Sequence, residues 1–400
     1  MPSSKCFGAV VALALFVLPF AAPAAPTTAA RNLVVNPGFE TGLSGHEWMP
    51  AGWDTSDAGL PTVFFGRDTL SPRSGHYSVN IANTSNVWMF NHNWHQAVLV
   101  GRETWGKDAI FSIWTRSSGV DGHGYVLAQC YQDTVTRMAK IWGVDRDEAL
   151  RRMMINNISD PQRELTWKRL YFPEVTTGWV RREVRLNVPA GTNVIFVRAG
   201  LIGTGQVAFD DASLTLVPAA PAPQYPLHAN ILKDPGFEEG ALTWEWTVPP
   251  FEGAKITIDS TTSHGGHASM LCSDMFEGYA PARMGMVQVI DARSLRGKHL
   301  RASAWFRADS LELTAFSKVY CSTLHGMEQS GAGELLSGTF DWTQNSTEFD
   351  VPKDATEIWA WFMLNSPCKG RMWIDDASVE VLGPAGESAS ASSGPPSKHH

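Results

Sequence analysis

Sixteen tryptophans stand among 400 residues, and each indole offers a flat apolar face and one N–H donor. Such a face stacks on a pyranose ring while neighbouring polar groups fix the hydroxyls. The candidates are Trp88, His92, Trp94 and His95 in one segment, and Trp359 and Trp361 in another. Strand alternation puts Trp359 and Trp361 on one side, with Ile358, Ala360 and Phe362 on the other. The positions matching these two tryptophans earlier in the chain hold Phe196 and Arg198, and an arginine there points to a face open to solvent or ligand. Phe276, Glu277, Tyr279 and Arg283 occupy the later counterpart of the segment around Trp94.

Cleaving chemistry needs more than rings. A glycosidase sets two carboxyl groups against each other across a cleft. Asp133, Asp145, Asp147 and Glu148 lie close in sequence, but helix capping and a solvated surface account for them. No nucleophile elbow, phosphate loop or metalloprotease helix is present in the sequence. His92 and His95 lack a carboxylate spaced to complete a metal site, and the competing reading is a solvated loop.

The elements that must hold these residues occur twice. Asn32 to Glu40 reads NLVVNPGFE and Asn230 to Glu238 reads NILKDPGFE. Each opening is answered downstream by Asp-Asp-Ala-Ser, at Asp210-Asp211 and Asp375-Asp376. Between them Ser74-Gly75-His76 matches Gly265-Gly266-His267, and Trp114 with Arg116 matches Trp305 with Arg307. Two copies of one domain follow. Trp114, Trp305, Trp179 and Trp342 recur at matched positions and read as core or strand-packing residues, as does Trp53. Short runs of alternating apolar and polar residues, such as 77–81, 109–114, 180–188, 300–306 and 357–364, separated by Gly, Pro, Asn and Asp, predict an all-β chain of two tandem jelly-roll β-sandwiches.

The domains are expected over 31–217 and 229–382, joined by a Pro/Ala linker at 218–228 that acts as a semi-rigid spacer. Between Cys130 and Trp179 the first copy is longer than the second between Cys321 and Trp342. The extra residues, near 134–160, read as a helical pair: Val135, Met138, Ile141 and Trp142 recur at helical spacing, and Asp145 with Glu148 forms a capping-box pattern. This insert is expected either to cover a sheet edge or to contact a ligand or partner.

Residues 1–25 carry a lysine, an apolar run and small residues, the pattern of a signal peptide. The run is shorter than a spanning helix needs, so the expected location is secreted, extracellular or periplasmic. A formal charge of −8 argues against nucleic acid as a partner. Residues 383–400 read as a disordered tail. Cys130 and Cys321 occupy equivalent strand positions, a shared buried site; one bridge among Cys272, Cys321 and Cys368 is expected, with the pair left open.

Taken together, NPGFE, a Trp after Gly52, Ser-Gly-x-x-Ser, Ile-Trp-Thr-Arg, Val-Pro-Ala-Gly and Phe-Asp-Asp-Ala-Ser resemble secreted carbohydrate-binding modules of the galactose-binding-like jelly-roll type, families four, nine and twenty-two. The resemblance implies a structural calcium ion per domain, held by Glu40 with Asp210 and by Glu238 with Asp375; the competing reading is that these carboxylates cap turns. It implies a secreted, non-catalytic protein that binds polysaccharide through Trp88, His92, Trp94 and Arg198 in one domain and Phe276, Tyr279, Trp359 and Trp361 in the other. An extracellular structural or adhesive module with a protein partner is the alternative, and a β-sandwich hydrolase or lyase a third.

Overall fold

The computed structural model describes residues 31–56, 61–84, 91–155, 162–172, 175–240, 244–247, 255–273, 282–323, 325–366 and 369–386. Trp88, Phe276, Tyr279, Cys368, the signal segment and the end of the tail lie outside them.

The first domain holds β1 (Gly42–Leu43), β2 (His46–Pro50), β3 (Asp54–Ser56), β4 (Val63–Asp68), β5 (Ser78–Asn83), β6 (Asn91–Leu99), β7 (Asp108–Asp133), α1 (Thr134–Trp142), α2 (Arg146–Ile155), β8 (Gln162–Phe172), β9 (Val180–Asn187) and β10 (Val194–Val217). The second holds β11 (Glu245–Thr247), β12 (Lys255–Asp259), β13 (Ser269–Ser273), β14 (Ala282–Asp291), β15 (Lys298–Thr323), β16 (Gly326–Ala332), β17 (Leu336–Asp350), β18 (Glu357–Ser366) and β19 (Arg371–Pro384). Pairing between neighbours in both sheets is antiparallel, as the alternation predicts.

Two long strands build both layers of the first sandwich. Residues 194–202 of β10 lie between β6 and residues 123–131 of β7, with β8 beyond, making a front sheet. Residues 206–217 of β10 pair with residues 108–118 of β7, flanked by β5 and β4 on one side and β9 on the other, making the back sheet. At the crossing, Gly122 and Gly205 have φ of 121° and 101°. A Cβ there would sit 2.2 Å from Ile202 O and 2.3 Å from Gly119 O, so only glycine lets the two backbones bend together. The second sandwich repeats the plan, with β15 crossing between layers: its C-terminal part pairs with β18 and β16, its N-terminal part with β19 and β17.

Each core fills the space between layers. Phe39 and Phe237, from the repeated opening motif, are fully buried against Trp53 and Trp244, at ring centroid distances of 4.9 and 5.1 Å. Asn32 ties the opening to the last strand, donating to Ala212 O and accepting from Leu214 N; Asn230 does the same with Ala377 O and Val379 N. These side-chain amides satisfy backbone groups where two chain segments meet. Cys130, Cys272 and Cys321 are free, buried thiols, so no bridge joins Cys272 to Cys321, and Cys130 and Cys321 pack as equivalent core residues. Strand β19 runs through Gly383 and Pro384, so the ordered domain extends past the expected start of the tail at 383.

The helical insert forms as predicted. Asp133 caps α1 through Thr136 N, and Asp145 Oδ1 accepts from Glu148 N at 2.7 Å. Val135, Ala139, Ala149 and Met153 make a small core of their own, with Met138 and Trp142 packed against it. Ile141, expected on that stripe, is 61% exposed, because the α1 face that meets α2 is centred on Val135 and Ala139. The linker is fixed by both domains: Ala220 N donates to Asp108 Oδ2, and Arg293 Nη1 donates to Ala220 O. No helix among the described residues is long and apolar enough to cross a membrane.

Candidate functional site: the sheet faces between the domains

Strand alternation splits the front sheet of the first domain into two chemistries. Val126, Ala128 and Cys130 of β7 point into the core, as do Ile195, Val197 and Ala199 of β10. Their neighbours point outward: Tyr125, Leu127, Gln129 and Tyr131 of β7, Phe196 and Arg198 of β10, and Trp167, Arg169 and Tyr171 of β8.

A polar network crosses this outer face. Glu164 Oε2 accepts from Tyr131 Oη at 2.7 Å and from Gln129 Nε2 at 2.8 Å. Gln129 Oε1 accepts from Arg198 Nε at 2.7 Å, and Arg198 also reaches Asn93 Oδ1 at 3.3 Å. Burial raises the Glu164 carboxyl above its ordinary range and lowers Arg198. Burial, then Arg198, lowers His95 to about 4. The Arg169 guanidinium lies 5.1 to 5.3 Å from the ring centroids of Tyr125, Trp167 and Tyr171.

The equivalent face of the second domain carries Trp359 and Trp361, with ring centroids 6.2 Å apart and planes 21° apart. Ile358, Ala360 and Phe362 fill its core, as alternation requires. The two faces meet. Trp359 packs edge to face on Trp167 with centroids 5.2 Å apart, and Val289 joins Tyr125 and Leu127 in the same cluster. Beside them the Glu357 carboxylate accepts from Thr166 Oγ1, from Trp167 N at 3.2 Å and from Trp359 Nε1 at 3.2 Å. Burial pushes Glu357 up to about 7.

Next to this contact lies a cavity of about 760 Å³, walled by both domains and the linker. Trp105, Thr166, Trp167 and Arg185 line it from the first domain, and Val289, Arg296, Lys353 and Glu357 from the second.

Several candidate residues fall elsewhere. Trp94 is fully buried in the first core, its N–H donating to Asn80 O at 3.1 Å. His92 is 1% exposed and meets Phe65 edge on. Both are therefore inward-facing β6 residues and cannot stack on a ligand; the segment around them is strand, where a loop had been expected. Arg198 does lie on the outer face, but Gln129 and Asn93 hold it half-buried, so that part is not open as expected. Trp359 and Trp361 are on the outer face, with Trp359 covered by Trp167. Trp114 and Trp305 are not core: the first lies under the Arg73 guanidinium at 3.9 Å, the second stacks on His264 at 4.0 Å. Trp53 is buried as expected.

The repeated carboxylates close each sandwich. Glu40 accepts from His76 N and Tyr77 N, and Asp210 from Arg73 N and Ser74 N. Glu238 and Asp375 accept from the matching amides of His267, Ala268, His264 and Gly265. A Cβ on Gly75 or Gly266 would lie 2.2 or 2.0 Å from the glutamate oxygen, so this turn requires glycine. Turn capping is thus what these groups do in the structure. Asp210 and Asp375 are fully buried, and no cationic side chain among the described residues is paired to them. Burial raises both, Asp210 to about 6. Buried carboxylates that meet only backbone N–H donors, offering oxygen ligands, fit a hard cation. Among the described residues there is no group of three or more His, Cys, Asp or Glu, so further ligands would be carbonyls or water.

Sequence reading passed over Tyr125, Tyr131, Trp167, Tyr171, Gln129 and Glu164. The signal was present in β7, where Tyr125, Leu127, Gln129 and Tyr131 alternate with Val126, Ala128 and Cys130.

No protein-family model matches the chain, and no curated protein matches it. Among solved structures it is similar to the tandem family 22 carbohydrate-binding modules of Paenibacillus barcinonensis Xyn10C, at 13% identity over 90% of this chain and 100% of that one, TM-score 0.31. The single CBM22-1 xylan-binding domain of the same protein matches at 13% identity over 46% and 93%, TM-score 0.29. The enzymatically active domain of tailspike protein 4 from bacteriophage CBA120 matches at 12% identity over 46% and 21%, TM-score 0.32. At scores this low the likeness does not decide function, which has to come from the side chains.

Proposed function

We propose that this is an exported, non-catalytic polysaccharide-binding protein whose two β-sandwiches present one composite surface. The observation that supports it most is the outer face of the first front sheet, where rings alternate with amide, carboxyl and guanidinium groups. A packed sheet face would be apolar; a saccharide needs both kinds of group. The half-buried members, Gln129, Tyr131, Glu164, Arg169, Arg198 and Trp361, are those a chain of sugars would contact. Family 22 modules named as xylan-binding share this kind of sandwich, which makes plant polysaccharides the first to test. Affinity electrophoresis against neutral and acidic polysaccharides is the test. Retardation on at least one is expected; none on any would refute the reading.

Non-catalysis is favoured because Asp133 and Asp145 cap helices, and Glu148 pairs with Arg152 at 2.6 Å. We also propose one calcium ion per domain at Glu40 with Asp210 and at Glu238 with Asp375. A melting temperature lowered by chelator is expected. An unchanged melt together with no metal on elemental analysis would refute it.

A structural or adhesive role is the second reading, favoured by the covering of Trp359 by Trp167 within the chain. It predicts a stoichiometric protein partner on pull-down, with no glycan retardation.

A further inference from the structure

The cavity between the domains leaves about 760 Å³ that no side chain fills. It is not on the outer face of either sandwich alone: its wall is shared by the β8 end of the first domain, the linker, and the loops flanking β14 and β18 of the second. A volume of about 760 Å³ is within the range of small-molecule sites.

Two features say what it would hold. Trp167, on its wall, is 8% exposed, and its indole N–H is buried without a hydrogen-bond partner among the described residues. A buried donor left unmade costs free energy, which a ligand acceptor recovers once the ring turns its N–H toward the cavity. The second is charge. Arg185 is tied to Asp108 at 2.7 Å and Arg293 to Asp291 at 2.7 Å, and Glu357 is occupied by Thr166 and Trp167. Arg296 and Lys353 line the same cavity with no carboxylate partner among the described residues; Arg296 Nε donates to Ala355 O, which leaves its terminal nitrogens available. Asp354, the remaining acid on the wall, faces His325 at 3.8 Å.

We propose that this interdomain cavity binds a short acidic saccharide bearing a uronate carboxylate, with Arg296 and Lys353 taking the carboxylate and the Trp167 N–H donating to a ring hydroxyl. The proposal rests on the polysaccharide-binding reading and adds a place and a charge to it. Trp105, on the same wall, supplies an aromatic surface; its own N–H is satisfied by Thr192 O at 2.7 Å. Because both domains contribute, neither sandwich alone would hold the ligand.

Isothermal titration of the full chain with a trigalacturonate, and with xylohexaose as the neutral control, tests it. The Lys353→Gln and Arg296→Gln variants change exposed side chains and leave both cores intact. Each is expected to weaken trigalacturonate binding about tenfold, the size of one charge-assisted contact, and to reduce its salt dependence. Trp167→Phe keeps an aromatic ring and removes the donor, and weakens binding without changing the salt dependence. If the Arg296 and Lys353 variants bind trigalacturonate as the unaltered chain does, the cavity is not the site, while the polysaccharide reading stands. If only xylohexaose binds, the acidic specificity is wrong and the neutral reading survives. If neither binds and affinity electrophoresis is also blank, both readings fall.

Discussion

Replacing Glu357 by Gln should remove a pH dependence that the domain contact imposes on stability. Glu357 is 5% exposed and accepts from Thr166, Trp167 and Trp359. Burial dominates over these donors and raises the carboxyl from an ordinary 4.5 to about 7. The folded protein therefore holds the proton where the unfolded chain has released it, so stability is unaffected below about pH 4.5 and declines as pH rises toward and through 7. A shift of this size corresponds to about 3 kcal/mol lost between pH 4 and pH 8. Gln keeps one acceptor oxygen and never ionises. Urea unfolding of both proteins at pH 4, 6 and 8 measures it, because the other titrating groups, such as Asp210 and His299, are common to both and cancel in the difference. The variant is expected to gain on the unaltered chain by about 3 kcal/mol as pH rises from 4 to 8. Parallel curves would refute the claim that burial in the domain contact makes Glu357 hold its proton.

Trp94→Ala opens a hole in the first core and removes the bond to Asn80 O; about 3 to 5 kcal/mol of stability is expected to go, read as a lowered urea midpoint. Trp359→Ala removes the ring packed on Trp167, so the domains should separate before either core melts, seen as a larger radius in solution scattering and new proteolytic cuts in the linker; an unchanged radius and digest would sink that assignment. Cys130, Cys272 and Cys321 are buried thiols, with burial pushing Cys321 up to about 11, and should resist alkylation in the native protein and react after unfolding, as peptide mass mapping would show.

The duplication made the fold legible. Matched motifs gave the tandem pair of sandwiches, and alternation correctly split Trp359 and Trp361 from Ile358, Ala360 and Phe362. Helical spacing and one capping aspartate were enough to find α1 and α2. Alternation reports which residues share a face, but not whether that face is inside, as Trp94 shows: its ring type suited a ligand platform, yet it points into the core. Nor does sequence reveal what covers a face from another domain. Trp167 lies on β8, directly after the insert that has no counterpart in the second copy, so comparing the copies could not match it, and its partner Trp359 is far along the chain. Trp114 and Trp305 recur because each supports the Arg73 or His264 side chain that the closing aspartates hold, a role as repeatable as core packing.

The two long strands of the first domain set an order of events during synthesis. The zipper between β7 and β10 joins Asp108 to Val217, and it cannot close until the chain has been made almost to the linker. Helices α1 and α2 lie inside that interval and pack Val135, Ala139, Ala149 and Met153 against one another, a local contact within reach while the front edge of β7 still waits for its partner. An unpaired β7 carrying Tyr125, Val126 and Leu127 is a sticky strand. The insert, placed immediately after it, is the first folded object a nascent chain would have beside that strand.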